Sequence, residues 1–230
     1  MAKNKNAKTP DQIEGVQNVI NKSEAFIEKY QKEILYVLLG VVVLALAVIG
    51  AKKFYVEPRE ADADNQIAIG QNYFERDSFK IALEGDGIDF IGFEQIVSDY
   101  WMTKKSNTAT AYAGISFYKT GDYENAIKYL KKYNGNGDVN LTPVILGLIG
   151  DAYVELGDVQ KGIKYFLKAV KKDNSQLSPV YLKKAAIAYE SQGNYQKALN
   201  AYTQIKTKYF NSFEANDIEK YIERVNTLTK

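Results

Sequence analysis

The chain has 230 residues, in which 30 lysines and arginines nearly balance 28 carboxylates, and it contains neither cysteine nor histidine. The missing residue types exclude disulfides, thiolate nucleophiles and imidazole bases, and with them nearly all zinc-site chemistry. The balanced charge argues against a nucleic-acid-binding protein, for which a basic stripe and a much higher isoelectric point are expected.

Residues 1–33 predict a cytoplasmic, amphipathic tail. Thr9 followed by Pro10 is a typical helix start, with a capping hydroxyl just before a proline in the first turn. Ile13 and Val16 then begin an apolar spacing that favours one face of a helix. This face is expected either to lie on a bilayer or to dock on a membrane partner.

Residues 34–51 form an uncharged, apolar run that predicts a transmembrane helix. A helix of this length measures about 27 Å, close to the hydrocarbon thickness of a bilayer. A buried core helix would carry a polar stripe, and a cleaved signal peptide would have a shorter apolar stretch nearer the start. A membrane anchor is therefore the favoured interpretation.

The orientation of this anchor follows from the short tail. Three basic residues flank each end of the apolar run, but the tail adds Lys3, Lys5 and Lys8. The positive-inside rule is counted over short segments, so we expect a cytoplasmic N-terminus and an external C-terminal domain. In a bacterium this describes a single-pass inner-membrane protein with a periplasmic domain. Outside bacteria, an outer-membrane import receptor would share the layout with its domain in the cytosol.

A short pattern occurs three times after the apolar run, at a spacing of 36 residues: Gly121-Asp122-Tyr123, Gly157-Asp158-Val159 and Gly193-Asn194-Tyr195. Self-similarity at this period is typical of an α-solenoid built from helix pairs. Each glycine is expected to make the turn within its pair at positive φ. The chain is therefore predicted to be all-α, with three tetratricopeptide repeats in residues 106–213.

Small residues at fixed offsets predict where the two helices of each repeat touch. The pairs are Gly114 with Ala126, Gly150 with Gly162, and Ala186 with Ala198. Two cap-then-proline pairs, Thr142-Pro143 and Ser178-Pro179, predict the helix starts of the second and third repeats.

The ends of the array are less regular. Residues 60–105 predict a degenerate repeat that an inserted glycine-rich loop interrupts, and residues 214–230 predict a terminal helix that caps the array. Asp86 and Asp89 in the loop do not match the ligand spacing of a calcium-binding EF-hand, so a solvated turn is expected there.

The tail, the single span and the repeat domain together resemble the YfgM-like family, the ancillary subunits of the SecYEG translocon. The stretch from Ala82 through Gly92-Phe93 to Ile115 is similar to membrane-anchored repeat proteins of Bacteroidota. The resemblance implies a periplasmic repeat domain near the channel exit, working beside a PpiD-like chaperone on exported client proteins. It implies no catalytic residues.

Repeat offsets place one set of side chains along the inner face of the array, where a peptide or partner would bind. The set comprises Ile115, Tyr118, Lys119, Asp151, Val154, Glu155, Lys183, Ile187 and Glu190. For each apolar member, packing between helices is the alternative role.

Two functions fit this pattern, and neither needs a cofactor or a metal. The leading hypothesis is a membrane-anchored scaffold at the Sec translocon that assists exported proteins by protein–protein interaction. The alternative is a chaperone-like binder of unfolded clients without a fixed translocon partner. The carboxylates form no spaced pair that suggests a catalytic pocket, so we do not expect an enzyme.

Overall fold

A computed structural model describes the backbone of residues 10–229 and the side chains of residues 26–229. This part of the chain is helical and contains no strand, which confirms the all-α prediction. It divides into two compact units, Met1–Glu57 and Pro58–Lys230. The proposed Thr9 cap lies outside the described residues.

The first unit consists of helix α1, Pro10–Ala51, followed by a π-helical turn, Lys52–Val56. Tyr30 departs from helical geometry, with φ −111° and ψ 16°. Within the described residues, one helical stretch, Phe26–Glu75, is long and apolar enough to cross a membrane. Its apolar window is not buried inside the protein, unlike the core helix of a soluble domain.

The second unit is a series of helices joined by short connections. They are α2 Glu57–Glu75, α3 Phe79–Glu84, α4 Phe93–Asp99, α5 Lys104–Lys119, α6 Tyr123–Leu130, α7 Leu141–Glu155, α8 Val159–Val170, α9 Leu177–Ser191, α10 Tyr195–Lys208 and α11 Ile218–Leu228. A 3₁₀ turn, Phe213–Asp217, precedes the last helix. Helices α5 with α6, α7 with α8, and α9 with α10 form successive hairpins.

Glycine makes the turn inside each hairpin, as the sequence predicts. Gly121, Gly157 and Gly193 have φ values of 82°, 82° and 69°, in the left-handed region where a Cβ is costly. The carboxylates that follow the first two glycines cap the next helix. Asp122 accepts a hydrogen bond from the amide of Asn125, and Asp158 accepts one from that of Lys161.

The predicted small residues lie where the two helices of a hairpin touch. A Cβ on Gly150 would come within 2.6 Å of the Phe166 ring and 3.1 Å of the carbonyl oxygen of Gly162. In the third hairpin Ala186 and Ala198 are both fully buried. These contacts confirm the helix pairing predicted from the repeat offsets.

The predicted caps of α7 and α9 are wrong. Both helices begin one residue before the expected threonine and serine, and a side chain farther upstream takes the capping role. Asp138 accepts from the amides of Asn140 and Leu141, and Asn174 accepts from those of Gln176 and Leu177.

The hydroxyls that were expected to cap serve no such role. Ser178 donates instead to the carbonyl oxygen of Val170 at 3.1 Å. The Thr142 hydroxyl is buried and makes no hydrogen bond. Pro143 and Pro179 are tolerated because the first-turn amides of a helix have no intrahelical acceptor.

In residues 60–105, which the sequence predicts to be a degenerate repeat, α2 packs against two short helices, α3 and α4, and encloses a core. Phe90 and Phe93 are buried and pack against Gly70, where a Cβ would come within 2.6 Å of Phe90. Gly85 and Gly92 close the neck of the intervening loop at φ 93° and 89°. A Cβ on either would lie within 2.4 Å of a carbonyl oxygen, so only glycine fits at both positions.

Asp86 organises this loop, whose residues 87–89 are exposed to solvent, as the sequence predicts. One of its oxygens accepts hydrogen bonds from the amides of Ile88, Asp89 and Phe90, at 2.9, 3.0 and 2.9 Å. The other accepts from the Tyr73 hydroxyl at 2.8 Å. These bonds, led by that from the Phe90 amide, lower the pKa of Asp86 from 3.8 to about 2.

The apolar core of the second unit forms three clusters. The largest extends from Ile67 on α2 to Ala152 on α7, and another extends from Leu182 on α9 to Val225 on α11. The smallest lies between them and has four buried members, Phe166, Ala169, Tyr181 and Ala185.

The buried contact at Ala198 gives a test of the helix pairing. We expect Ala198→Arg to lower the free energy of unfolding by about 3 kcal/mol or more, through overpacking and an unpaired charge. Urea denaturation of Pro58–Lys230, followed by circular dichroism, measures this change. Asn200→Arg, at an exposed position of the same helix, should change the value by less than about 0.5 kcal/mol. Equal stability of the two variants would contradict the pairing.

The depressed pKa of Asp86 gives a pH test. Its ionised form favours folding, so the stabilisation is complete above the ordinary pKa of 3.8 and is lost as pH falls through about 2. Asp86→Asn keeps an acceptor oxygen but removes the charge. We expect this variant to be less stable than the wild type at neutral pH, with the difference shrinking towards pH 2 in urea denaturation. A difference that does not vary with pH would rule out the charge as its cause.

Candidate protein-binding groove

Helices α7 and α9 stand side by side and leave an apolar cleft between them. Its volume is about 290 Å³, and it is lined by Asp151, Val154, Val159, Phe166, Lys184, Ile187, Ala188 and Ser191. Phe166 is buried, while Ile187 is 47% exposed. We call this feature the α7–α9 cleft. Its size suits one large apolar side chain of a partner.

An ion pair borders the cleft. The Lys184 ammonium donates to a carboxylate oxygen of Asp151 at 2.6 Å and lies 5.9 Å from the centre of the Phe166 ring. The Asp151 side chain is 18% exposed and that of Lys184 is 40% exposed. The pair therefore joins α7 to α9 at an apolar surface and leaves part of the ammonium accessible.

Two tyrosines surround the same carboxylate. Burial, followed by the charge of Asp151, raises the pKa of Tyr181 to about 12. The pKa of Tyr118 is also raised, first by burial and then by the charges of Asp151, Tyr123 and Glu155. The phenols therefore stay neutral at physiological pH and present hydroxyl groups, rather than further negative charge, around Asp151.

Five of the nine predicted groove residues come together around this carboxylate. Asp151, Val154 and Ile187 line the cleft itself. Tyr118 lies near this carboxylate, because the charges of Asp151 and Glu155 both act on its phenol. The α7–α9 cleft is thus where the predicted set is densest.

Two predicted residues on α9 make ion pairs outside the cleft. The Lys183 ammonium lies 2.7 Å from Asp217 in the 3₁₀ turn and 4.5 Å from the centre of the Tyr221 ring. Glu190 accepts from the Tyr202 hydroxyl on α10 and from Arg224 on α11. Both side chains hold the C-terminal helices against α9.

The remaining two predicted residues lie at the first repeat. Ile115 is half-buried and packs against the largest core cluster. Lys119 is exposed, and its ammonium lies 6.0 Å from the centre of the Phe79 ring on α3. For Ile115 the packing role, which the sequence left open, describes its surroundings.

Lys184 lines the cleft but is not among the predicted groove residues, which include its neighbour Lys183. The spacing Tyr181, Lys184, Ile187 places these three side chains one helical turn apart, and that spacing is the signal that identifies Lys184. Gly147, next to the cleft, is covered by the Tyr181 ring, which a Cβ would approach within 2.0 Å. The small residue leaves room for the ring, which is buried behind the cleft.

Family comparisons agree with this architecture. Residues 112–135 and 148–209 match tetratricopeptide repeat families. Two solved structures of a Podosopora anserina protein with nearly identical TPR-like repeats, of the kinesin light chain type, are similar to the chain at 14% and 15% identity. Their TM-scores are 0.55 and 0.54, over 74% of this chain and 87% and 88% of theirs.

At this level of identity the similarity shows a shared fold and does not indicate a function. No curated protein sequence matches the chain. The described domain is therefore a tetratricopeptide-repeat α-solenoid, an architecture that generally serves protein–protein interaction without catalysis.

The ion pair at the cleft gives a further test. A double-mutant cycle of Asp151→Ala and Lys184→Ala should yield a coupling free energy of about 0.5–1 kcal/mol, measured by urea denaturation. The coupling should weaken as salt is raised, because the ammonium is partly exposed. The control cycle pairs Asp151→Ala with Lys164→Ala on the exposed face of α8, where no coupling is expected. Equal coupling in both cycles would contradict the geometry of the pair.

Proposed function

We propose that the protein is a membrane-anchored repeat scaffold that serves as an ancillary subunit at the Sec translocon and assists exported proteins by protein–protein interaction. The α7–α9 cleft carries the proposal, because it offers an apolar pocket with a partly accessible cation on an array built for binding. Its partners would be the SecYEG channel, a PpiD-like chaperone and exported client proteins.

The apolar N-terminal helix supports the anchored part of this proposal. The lysines of the tail favour a cytoplasmic N-terminus and a periplasmic repeat domain in the inner membrane of a bacterium. Anchoring raises the local concentration of a weak binding site next to a membrane channel, to the millimolar range for a short tether. A cleft of modest affinity can then engage each emerging chain and release it quickly.

The resemblance to the YfgM-like family supports the translocon as the partner. One observation favours the alternative of a chaperone-like client binder. The cleft wall is mostly apolar, with a floor formed by Val154, Phe166 and Ala188, and such a surface makes little demand on sequence. The two functions share the cleft and differ in what occupies it.

Crosslinking from the cleft distinguishes them, and the absence of native cysteine makes an introduced cysteine unique. Ile187→Cys would be treated in intact spheroplasts with a membrane-impermeant, thiol-reactive photo-crosslinker. We expect reaction without lysis, and adducts with channel subunits in fixed ratio. Lys5→Cys in the tail should react only after lysis.

Lys164→Cys on the exposed face of α8 is the matched control for the cleft. A broad range of exported chains crosslinked to Ile187→Cys, without channel subunits, would favour the client binder over the scaffold. Equal adducts from the two positions would remove the cleft from the mechanism. Reaction of Ile187→Cys only after lysis would reverse the proposed topology.

A further inference from the structure

Four connections of the repeat domain lie along one edge of the array. They join the second helix of each repeat to the first helix of the next element, and with the adjoining helix ends they comprise residues 99–105, 131–140, 171–176 and 206–217. Since successive helices run in opposite directions, these connections share an edge that we call the loop edge. The glycine turns inside the hairpins lie at the other edge, the turn edge.

Hydrogen bonds and an ion pair link these connections into a continuous surface. Asn107 and Asn134 exchange two hydrogen bonds, at 2.9 and 2.7 Å. Asn174 donates to the carbonyl oxygen of Val139 at 3.0 Å. Lys208 and Asp173 pair at 2.8 Å. These contacts join the second, third and fourth connections to one another, and join the second to α5.

The polypeptide enters the repeat domain at this edge. Arg59, at the start of α2, donates to the carbonyl oxygen of Asp99 at 2.6 Å. Asp62 accepts from the Tyr100 hydroxyl one turn later. The chain that follows the apolar run of α1 thus joins the array beside the first of the four connections.

Large apolar side chains project from the loop edge into solvent. Trp101 is 72% exposed and Phe213 is 85% exposed, and Met102, Val139 and Phe210 are at least half exposed as well. At the turn edge, among the described residues of the three glycine turns, Leu156 is the exposed large apolar side chain. Apart from Ile88 in the inserted loop, the most exposed large apolar side chains of the second unit therefore lie on the side where the chain enters.

Charge is distributed in the same asymmetric way. With the adjoining helix ends, the first three connections contain two lysines and one carboxylate each, and the fourth contains two lysines and two carboxylates. Of these eight lysines, Lys105, Lys206 and Lys208 are ion-paired within the domain. The three glycine turns, residues 119–122, 155–158 and 191–194, together contain one lysine and three carboxylates. The loop edge is therefore basic and the turn edge acidic.

We propose that the loop edge rests on the surface of the bilayer, with its aromatic residues at the level of the headgroups and its lysines on anionic phospholipids. Trp and Tyr favour this depth in membranes, and clustered lysines are attracted to anionic lipid. The inference rests on the membrane anchoring proposed above. A surface that binds a protein partner is expected to have a compact apolar centre, whereas these side chains are spread along the whole edge.

This placement determines the direction in which the α7–α9 cleft opens relative to the bilayer. With the loop edge on the membrane, the repeat helices stand upright on it. The α7–α9 cleft, which is carried on the sides of those helices, then opens parallel to the bilayer surface. A chain leaving a neighbouring channel would meet the cleft from the side.

The test uses Trp101, the single tryptophan of the chain. The full-length protein would be placed in lipid nanodiscs that contain anionic phospholipid, with and without brominated acyl chains. We expect a blue-shifted Trp101 emission that brominated lipid quenches. Trp101→Phe combined with Leu156→Trp moves the reporter to the turn edge, where emission should be red-shifted and unquenched.

Two double substitutions test whether the lysines of the loop edge contribute to membrane binding. Lys171→Glu with Lys172→Glu, on the loop edge and distant in sequence from the reporter, should reduce the quenching of Trp101. The same charge change at Lys164 and Lys168 on α8 should leave it intact. Circular dichroism confirms that each variant is folded, and replacing anionic by zwitterionic lipid should also reduce quenching.

The outcomes separate this inference from the function on which it rests. If the chain is not retained in nanodiscs, the membrane anchoring and the docking of the loop edge both fail. If it is retained but Trp101 is quenched no more than the Leu156→Trp reporter, only the docking is overturned. That second result would point to a protein partner on the loop edge.

Discussion

Each repeat of this array depends on how closely its two helices can approach. At Gly150 and Gly162 no side chain holds the backbones apart, and the Phe166 ring fills the space beside the contact. A larger residue at either position would push α7 away from α8. Because α8 also packs on α9, the spacing of α7 and α9, and with it the width of the cleft, follows from this contact.

The sequence predicts the features that local geometry requires. Gly157 makes its turn at positive φ, and Gly150 touches Gly162, because both requirements recur at the same offsets in the repeats. Capping is less predictable, since two polar side chains near a helix start compete for the same amides. Asp138 and Asn174 bind the first amides of α7 and α9 in place of Thr142 and Ser178, because they lie in the loop just before each helix.

Partnerships between repeats are harder to predict than positions within them. A repeat offset tells which face of a helix a residue occupies, but not which charge stands opposite. Lys184 meets Asp151 from 33 residues away, and Glu190 meets Arg224 from 34 residues away. Tertiary packing therefore decides that the first pair borders a cleft and that the second fastens the terminal helix. Asp86 is a similar case, because its network depends on the path of an inserted loop.

The division of the apolar core has a mechanical consequence. The smallest cluster, formed by Phe166, Ala169, Tyr181 and Ala185, lies between the two larger ones and beside the α7–α9 cleft. In a solenoid each unit contacts only its neighbours, so a change in the angle between α7 and α9 bends the array at this cluster. Curvature of the solenoid and width of the cleft then change together, so that the size of a bound side chain and the bend of the whole array are coupled.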